Sequence, residues 1–509
     1  MTFMAPSFDI PPAQRLAGIR RGIEKEGLRV LPSGALALTP HPKGLGSALT
    51  HPLITTDYSE SQLELITGAH LGVQECLDEL QAVHQYVFRC LRAEGGEMMW
   101  AASMPCTLPT DETIPLGRYG RSHIGRSKSI YRMGLGHRYG RRMQTISGIH
   151  YNWSLPEVSS AEYFGLIRNF RRHAFVLLYL FGASPALCPC FVQGRKHQLL
   201  PLGTEGQALY LPHATSLRMG RLGYQSDAQA SINASYNDLD GYANSLHAAL
   251  TQPYPPYEQL GVRNPGGDYN QLGTSLLQIE NEFYSTIRPK RTTARGERPL
   301  HALRERGVEY VEVRLMDIHP FEPLGISADT MRMLDVFLLH CLLSDSPPDT
   351  PEEIEALKHN QQLAAERGRE PGLRLQRGDE EVLLTEWAHD ILQQCQGIAQ
   401  ALDATHNTDA YTLALQAAQD LLEHPELTPS ARVLQATQAH GNSFKEFGLC
   451  QSRVAYKHVL SQPFSKALQA KFEQLSSASV LAQQEMEASD SDSSFEEWRQ
   501  RYMDPANLL

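Results

Sequence analysis

The stretch "GIEKEGLRV", Gly22 to Val30, sets Glu24 and Glu26 two residues apart in a run that otherwise reads as a strand. Ile23, Leu28 and Val30 are residues to be packed, and Arg21, Lys25 and Arg29 supply positive charge. Side chains alternate across a strand, so Glu24 and Glu26 share one face while Ile23 and Lys25 share the other. Two further stretches repeat the arrangement. In "ESQLELIT" (60–67), Gln62, Glu64 and Ile66 lie on one side and Leu63 and Leu65 on the other, and "ITTDYSE" just upstream ends a strand at Asp57. In "VEYVEVRLMD" (308–317), Tyr310, Glu312 and Arg314 share a face opposite Val311, Val313 and Leu315.

One such segment is commonly the solvated side of an antiparallel sheet. Three of them, each aiming acids away from an apolar side, are harder to read that way. Glu24, Glu26, Asp57, Glu64 and Glu312 gathered on one surface would repel one another unless cations sat among them. Hard oxygen donors of this kind suit Mg²⁺, with Mn²⁺ as a substitute, and nucleotide phosphates complete such coordination shells.

The segment 117–156 is strongly basic. Arg118, Arg121, Arg126, Lys128, Arg132, Arg138, Arg141 and Arg142 alternate with glycines and small residues, which reads as a loop over Arg118–Tyr151. Such a loop can fold over a polyphosphate; a solvated basic surface or an RNA-binding segment fits the same residues. It is not a G-x-x-x-x-G-K-[ST] phosphate loop, and no G-x-G-x-x-G dinucleotide motif is in place. His150, in the alternating "SGIHYNWSLP", is a candidate metal ligand or phosphate partner. "LQIENEFYSTIRPKR" (277–291) and "YLPHATSLRMGRLGY" (210–224) add Glu280, Asn281, Glu282, Tyr284, Arg288, Arg218 and Tyr224. Acids for metal beside arginines for phosphate point to ATP-driven chemistry on a small acidic substrate.

The 509 residues, 41% hydrophobic and 20% charged, describe a globular chain with a sizeable core. A formal net charge of −11 argues against a general nucleic-acid binder. No apolar run approaches the ~18 residues of a membrane span, and the N-terminus lacks a signal-peptide pattern, so the expected location is the cytoplasm. Of the eight cysteines, only "CPC" at 188–190 is a close pair, without a second pair or a histidine at zinc-finger spacing. The thiols therefore read as free and buried.

Gln74–Glu94 and Ala161–Phe181 have helical patterning, and "TQPYPPYEQLGVRNPGGDYNQLG" (251–273) reads as a surface excursion. After "LSDSPPDTPEE" (343–353) the chain turns Ala-, Leu-, Gln- and Glu-rich. The expected organisation is a catalytic sheet-and-helix core over 1–345 and a mostly helical part over 346–509, with a loosely held acidic tail from about 487.

"RGIEKEGLRV", "GSALTHPLITTDYSESQLELIT", "SMPC", "YRMGLGHRYGRRMQTISGIHYNWSLP", "YLFGASPALC", "LQIENEFYSTIRPKR" and "VEYVEVRLMDIHPF" together resemble the bacterial glutamate–cysteine ligases. The likeness runs collinearly from about residue 17 to 345 and more loosely beyond. It implies an α+β fold in which a curved, mainly antiparallel sheet, like that of glutamine synthetase, forms a catalytic funnel with helices outside. The implied reaction joins the γ-carboxyl of L-glutamate to L-cysteine through γ-glutamyl phosphate. ATP becomes ADP and phosphate, and the step opens glutathione synthesis. A same-fold ligase using another small amine, or a nucleotide-binding regulator without turnover, are the alternatives.

By the same resemblance Glu24, Glu26, Asp57, Glu64, His150 and Glu312 fall at Mg²⁺-binding positions, and Arg132 and Arg314 at positions that contact transferring phosphate. Gln144, Arg218 and Asn281 match glutamate contacts. Tyr58, Tyr131, Tyr224 and Tyr284 match an aromatic pocket for cysteine, with Tyr58 in place of the usual Phe. The implied partners are these small molecules alone, with no nucleic acid or membrane, and the implied state is a monomer.

Overall fold

The computed structural model describes residues 8–204, 206–223, 227–490 and 493–508. The acid-and-apolar stretches are strands of one sheet, as their period of two predicts. β1 (Arg20–Val30) lies at its centre, flanked by β3 (Gln62–Ile66) and then β2 (Ile54–Thr56) on one side. On the other side come β5 (Gly148–Ser154), β10 (Tyr310–Asp317) and β9 (Ile287–Lys290). Every pairing is antiparallel, and β4 (Met98–Met99) extends the sheet beside the end of β1. A small sheet of β6 (Ala186–Leu187), β7 (Leu200–Pro201) and β8 (Leu209–Tyr210) stands apart. The expected α+β class, with an antiparallel sheet and outer helices, is the architecture found.

One face of the main sheet is apolar and buried. Ile23, Leu63, Leu65, Ile149, Tyr151, Trp153, Val311 and Val313 belong to the main core. The helices Val73–Ala93 and Ser160–Phe181 cover them, with Ala328–Leu343 packed behind. Two polar groups are built into this layer. Arg21 pairs with Asp335 at 3.0 Å, and the Tyr151 hydroxyl donates to the same carboxylate at 2.9 Å. Lys25 meets His84 Nε2 at 2.8 Å, and burial lowers its amine to about 7. Lys25 thus belongs to the packed side, where periodicity put it.

The reading of Arg118–Tyr151 as a loop is overturned, because His123–Tyr139 is a helix. Ser122 caps it by accepting the Gly125 N–H at 3.1 Å. The glycines that suggested a loop are sites of close packing instead. A Cβ on Gly134 would lie 2.4 Å from Gln278 Oε1, and one on Gly136 2.6 Å from the Tyr58 hydroxyl. Arg138 fixes the far end of the helix to Glu282 at 2.9 Å and to Gln271, so the 251–273 excursion buttresses it. Tertiary contacts hold this helix, not an apolar stripe, which is why periodicity missed it.

Beyond Leu343 the chain is helical as expected, apart from the hairpin of β11 (Arg374–Arg377) and β12 (Glu380–Leu383). The loosely held tail is also corrected. Helix Lys466–Ser489 runs through its start, and helix Phe495–Tyr502 docks on helix 123–139. Phe495 is buried there beneath Arg126, 4.2 Å from its ring. Phe495, Trp498 and Tyr502, spaced by three and four, make the aromatic face that anchors it.

Candidate active site

The polar face of the sheet is the floor of a cavity of about 440 Å³. Strand register places its acids. Glu24 lies opposite His150 across β1 and β5, Glu26 opposite Glu64 across β1 and β3, and Glu312 opposite Asn152 across β10 and β5. One ligand atom each from Glu24, His150 and Glu312 falls within 4.8 Å of the others. His150 Nδ1 is 3.1 Å from Glu24, and its Nε2 is 3.5 Å from Glu26. Asp57 and Glu64 complete the acidic wall.

These carboxyls fall into two electrostatic groups. Burial alone would raise Glu312, but Lys290, Arg314, His150 and Arg288 hold it well below the ordinary range. Burial likewise opposes ionisation of Glu24, and its hydrogen bond with His150 outweighs it with help from Lys290. The second group has no such compensation. Burial, then Asp57, pushes Glu26 up to about 8. Burial, then Glu24, Asp57 and Glu26, raises Glu64 well above its usual value. Glu26 is fully buried; one oxygen accepts the Gly148 N–H at 2.7 Å and the other has no hydrogen-bond partner. A buried carboxylate oxygen with no hydrogen bond and only His150 Nε2 near it, 3.5 Å away, among acids driven to hold protons, is the environment a hard divalent cation relieves. The six candidate ligands therefore fit such an ion chemically.

The opposite wall is helix 123–139. Arg132 reaches in from it, donating through Nε to the Asp57 carbonyl while its guanidinium lies 4.5 Å above the Tyr119 ring. Arg314 faces it from β10, 3.0 Å from Glu312 and 3.4 Å from His150. Tyr58, Tyr131, Gln144, Asn281 and Tyr284 also line the cavity, and Gln144 donates to the Tyr284 hydroxyl at 2.8 Å. Arg218 is not on the surface of the cavity. It is fully buried behind the wall, donating to the Arg314 carbonyl at 2.9 Å and lying 3.7 Å from Asp317. Tyr224 lies outside the described residues.

Other polar residues of the motifs turn out to be structural. Glu280 pairs with Arg298 at 2.9 Å, Glu282 with Arg138, and Arg142 with Asp111 at 3.2 Å. Sequence reasoning missed Lys290, Trp498 and Tyr502 as lining residues, and named Lys128 only as one of a basic run. Lys128 stands one helical turn before Arg132, a relation visible only once that segment is read as a helix. Burial, then Arg132, lowers its amine to about 8.

The family model described as Glutamate-cysteine ligase matches residues 9–364. The chain belongs to the glutamate–cysteine ligase family. Glutamate–cysteine ligase of Pseudomonas aeruginosa is 48% identical over 493 residues, covering 93% of this chain and 92% of that protein. That of Saccharophagus degradans is 44% identical over 520 residues, covering 98% and 97%. Among solved structures, glutamate–cysteine ligase of Francisella tularensis in complex with AMP superposes with a TM-score of 0.90 at 36% identity, covering 96% of this chain and 97% of that one. The likeness to these relatives covers nearly the whole chain, past residue 364 where the family model ends.

Proposed function

We propose that this enzyme uses ATP to join the γ-carboxyl of L-glutamate to the amine of L-cysteine, giving γ-glutamylcysteine, ADP and phosphate. One observation carries the reading: a wall of acids, with Arg314 beside Glu312 on it, facing Arg132 across one cavity, in a chain of the glutamate–cysteine ligase family. A carboxylate is a poor acyl donor because oxide leaves badly. Attack of a γ-carboxylate oxygen on the γ-phosphorus of ATP expels ADP and makes an acyl phosphate. The cysteine amine then attacks the carbonyl carbon, phosphate leaves, and the amine proton passes to solvent.

In this assignment Glu24, Glu26, Asp57, Glu64, His150 and Glu312 hold Mg²⁺ ions. When bound, these neutralise the charge of the two anions that must meet. Arg132 and Arg314 offer fixed guanidiniums to the phosphoryl group in flight, already oriented by Asp57 and Glu312 before substrate arrives. Gln144 and Asn281 take the polar groups of glutamate, and Arg218 serves that site from behind its wall. Tyr58, Tyr131 and Tyr284 surround the side chain of cysteine. Aromatic walls also keep water from the acyl phosphate.

The test is phosphate release from ATP with Mg²⁺ and glutamate, compared across amines. Cysteine is expected to stimulate release above alanine, serine and 2-aminobutyrate. Equal stimulation by all four would overturn the cysteine assignment, and no glutamate dependence would overturn the ligase reading itself.

A further inference from the structure

Away from this cavity, in the helical layer behind the sheet, three metal-ligating side chains converge that the ligase chemistry does not use. His173 comes from helix 160–181, and His340 and Cys341 from helix 328–343. One ligand atom from each lies within 4.8 Å of the others. His340 and Cys341 are almost wholly buried, and the two imidazole rings are 5.6 Å apart.

Hydrogen bonding around the cluster is what a bare layer of packed helices does not account for. His340 Nε2 is 3.0 Å from the Gln394 amide oxygen, an acceptor, so Nε2 carries the proton and Nδ1 is left as the lone pair. That Nδ1 is buried without a partner, and so is Nδ1 of His173. Buried polar atoms left unpaired cost free energy, and a pair of them beside a thiol calls for an occupant. The Gln394 contact is the outer-shell acceptor that fixes the tautomer of a ligating histidine. His173 is only half-buried.

We infer that His173, His340 and Cys341 form a second metal site, distinct from the ligase cavity, that takes Zn²⁺. Two imidazoles and a thiolate are donors for a borderline-soft ion and not for Mg²⁺. On binding, the Cys341 thiol releases its proton to solvent and three bonds to the ion form, with no change of oxidation state. The ion joins two helices of the layer that backs the catalytic sheet.

Cobalt is the probe, because a thiolate–Co²⁺ charge-transfer band cannot arise from the carboxylates and imidazole of the ligase cavity. Chelator-stripped, reduced full-length protein is titrated with Co²⁺ and then with Zn²⁺. One equivalent of Co²⁺ is expected to develop the band, and Zn²⁺ to abolish it. The band should vanish in Cys341→Ser, weaken in His173→Gln, and persist in Cys188→Ser, whose thiol lies elsewhere. With Mg²⁺ and ATP present to fill the ligase cavity, Zn²⁺ at a hundredfold excess over its Kd should raise the unfolding midpoint of wild type by about 2–3 °C and leave Cys341→Ser unmoved. Ligase turnover of each variant reports that it has folded; should Cys341→Ser fail to fold, His173→Gln carries the comparison. No charge-transfer band in wild type, or an unchanged band in Cys341→Ser or His173→Gln, would overturn the assignment.

Discussion

Glu26→Gln separates what the acidic wall does for catalysis from what it does to the fold. The substitution is nearly isosteric, and a glutamine oxygen can still accept the Gly148 N–H that Glu26 accepts at 2.7 Å. What it removes is charge. Glu26 is raised from 4.5 to about 8 in the folded protein, so its contribution to stability is full below pH 4.5 and is lost as pH rises through 8. The slope is ~1.4 kcal/mol per pH unit, which integrates to roughly 5 kcal/mol as an upper bound, and about 2–4 kcal/mol after relaxation around the site. Without metal at pH 8, Glu26→Gln should therefore be more stable than wild type by about 2–4 kcal/mol, read from urea midpoints. The order should close or reverse on adding Mg²⁺ and ATP, because wild type gains more from them. Ligation should fall at least ~100-fold if Glu26 holds metal as proposed. Turnover within tenfold of wild type, or a variant no more stable than wild type in the metal-free state, would refute the reasoning.

Tyr58→Phe should raise stability by about 1 kcal/mol in thermal unfolding, because the buried Tyr58 hydroxyl has no hydrogen-bond partner, and leave the KM for cysteine no higher. Gly134→Ala puts a methyl 2.4 Å from Gln278 Oε1, and Gln278 accepts the Leu272 N–H at 2.8 Å, so the change should cost about 1–2 kcal/mol despite the better helix former. A raised KM for the substrates should accompany it, as Tyr131 and Arg132 sit beside Gly134 on that helix. Two buried histidines should cost stability as pH falls below 6.5, a trend opposite in sign to that of Glu26. Burial lowers His41 to about 3 and His319 to about 4, so both are protonated on unfolding but not when folded below pH 6.5. Stability is full above that pH and falls by about 2–3 kcal/mol for each by pH 4.5, which a His41→Gln/His319→Gln double variant should flatten in urea titrations.

Period-two patterning was enough to foresee the floor of the site. Glu24, Glu26, Glu64, His150 and Glu312 occupy alternate positions on strands, and alternation survives any register that keeps the apolar face inward. The opposite wall was not legible in the same way. Helix 123–139 is held by Gly134 against Gln278, by Gly136 against Tyr58 and by Arg138 against Glu282, all partners distant in sequence. Without an apolar stripe it gave no periodic signal, and its basic residues looked like one functional patch. Only Lys128 and Arg132 among them line the cavity; Arg138 and Arg142 are structural. Trp498 and Tyr502 were hidden differently, because acidic composition around "FEEW" masked an aromatic face. The buried position of Arg218 depends on how Gly148 packs against it, with a Cβ there only 2.1 Å from its guanidinium, and no local pattern encodes that.

The division of the sheet into an acid face and an apolar face also bears on how the strands find their partners. A one-residue slip of β1 against β3 or β5 would turn Glu24 and Glu26 toward the core of Ile149, Tyr151 and Trp153, and set Ile23 among the carboxyls. Each acid driven unpaired into that layer would cost several kcal/mol, so misaligned pairings are heavily penalised. The acids proposed to serve the reaction thus also proofread the sheet. Neutralising them all at once should do more than silence an enzyme: it would remove the penalty on wrong alignments and leave a chain that folds to a mixture.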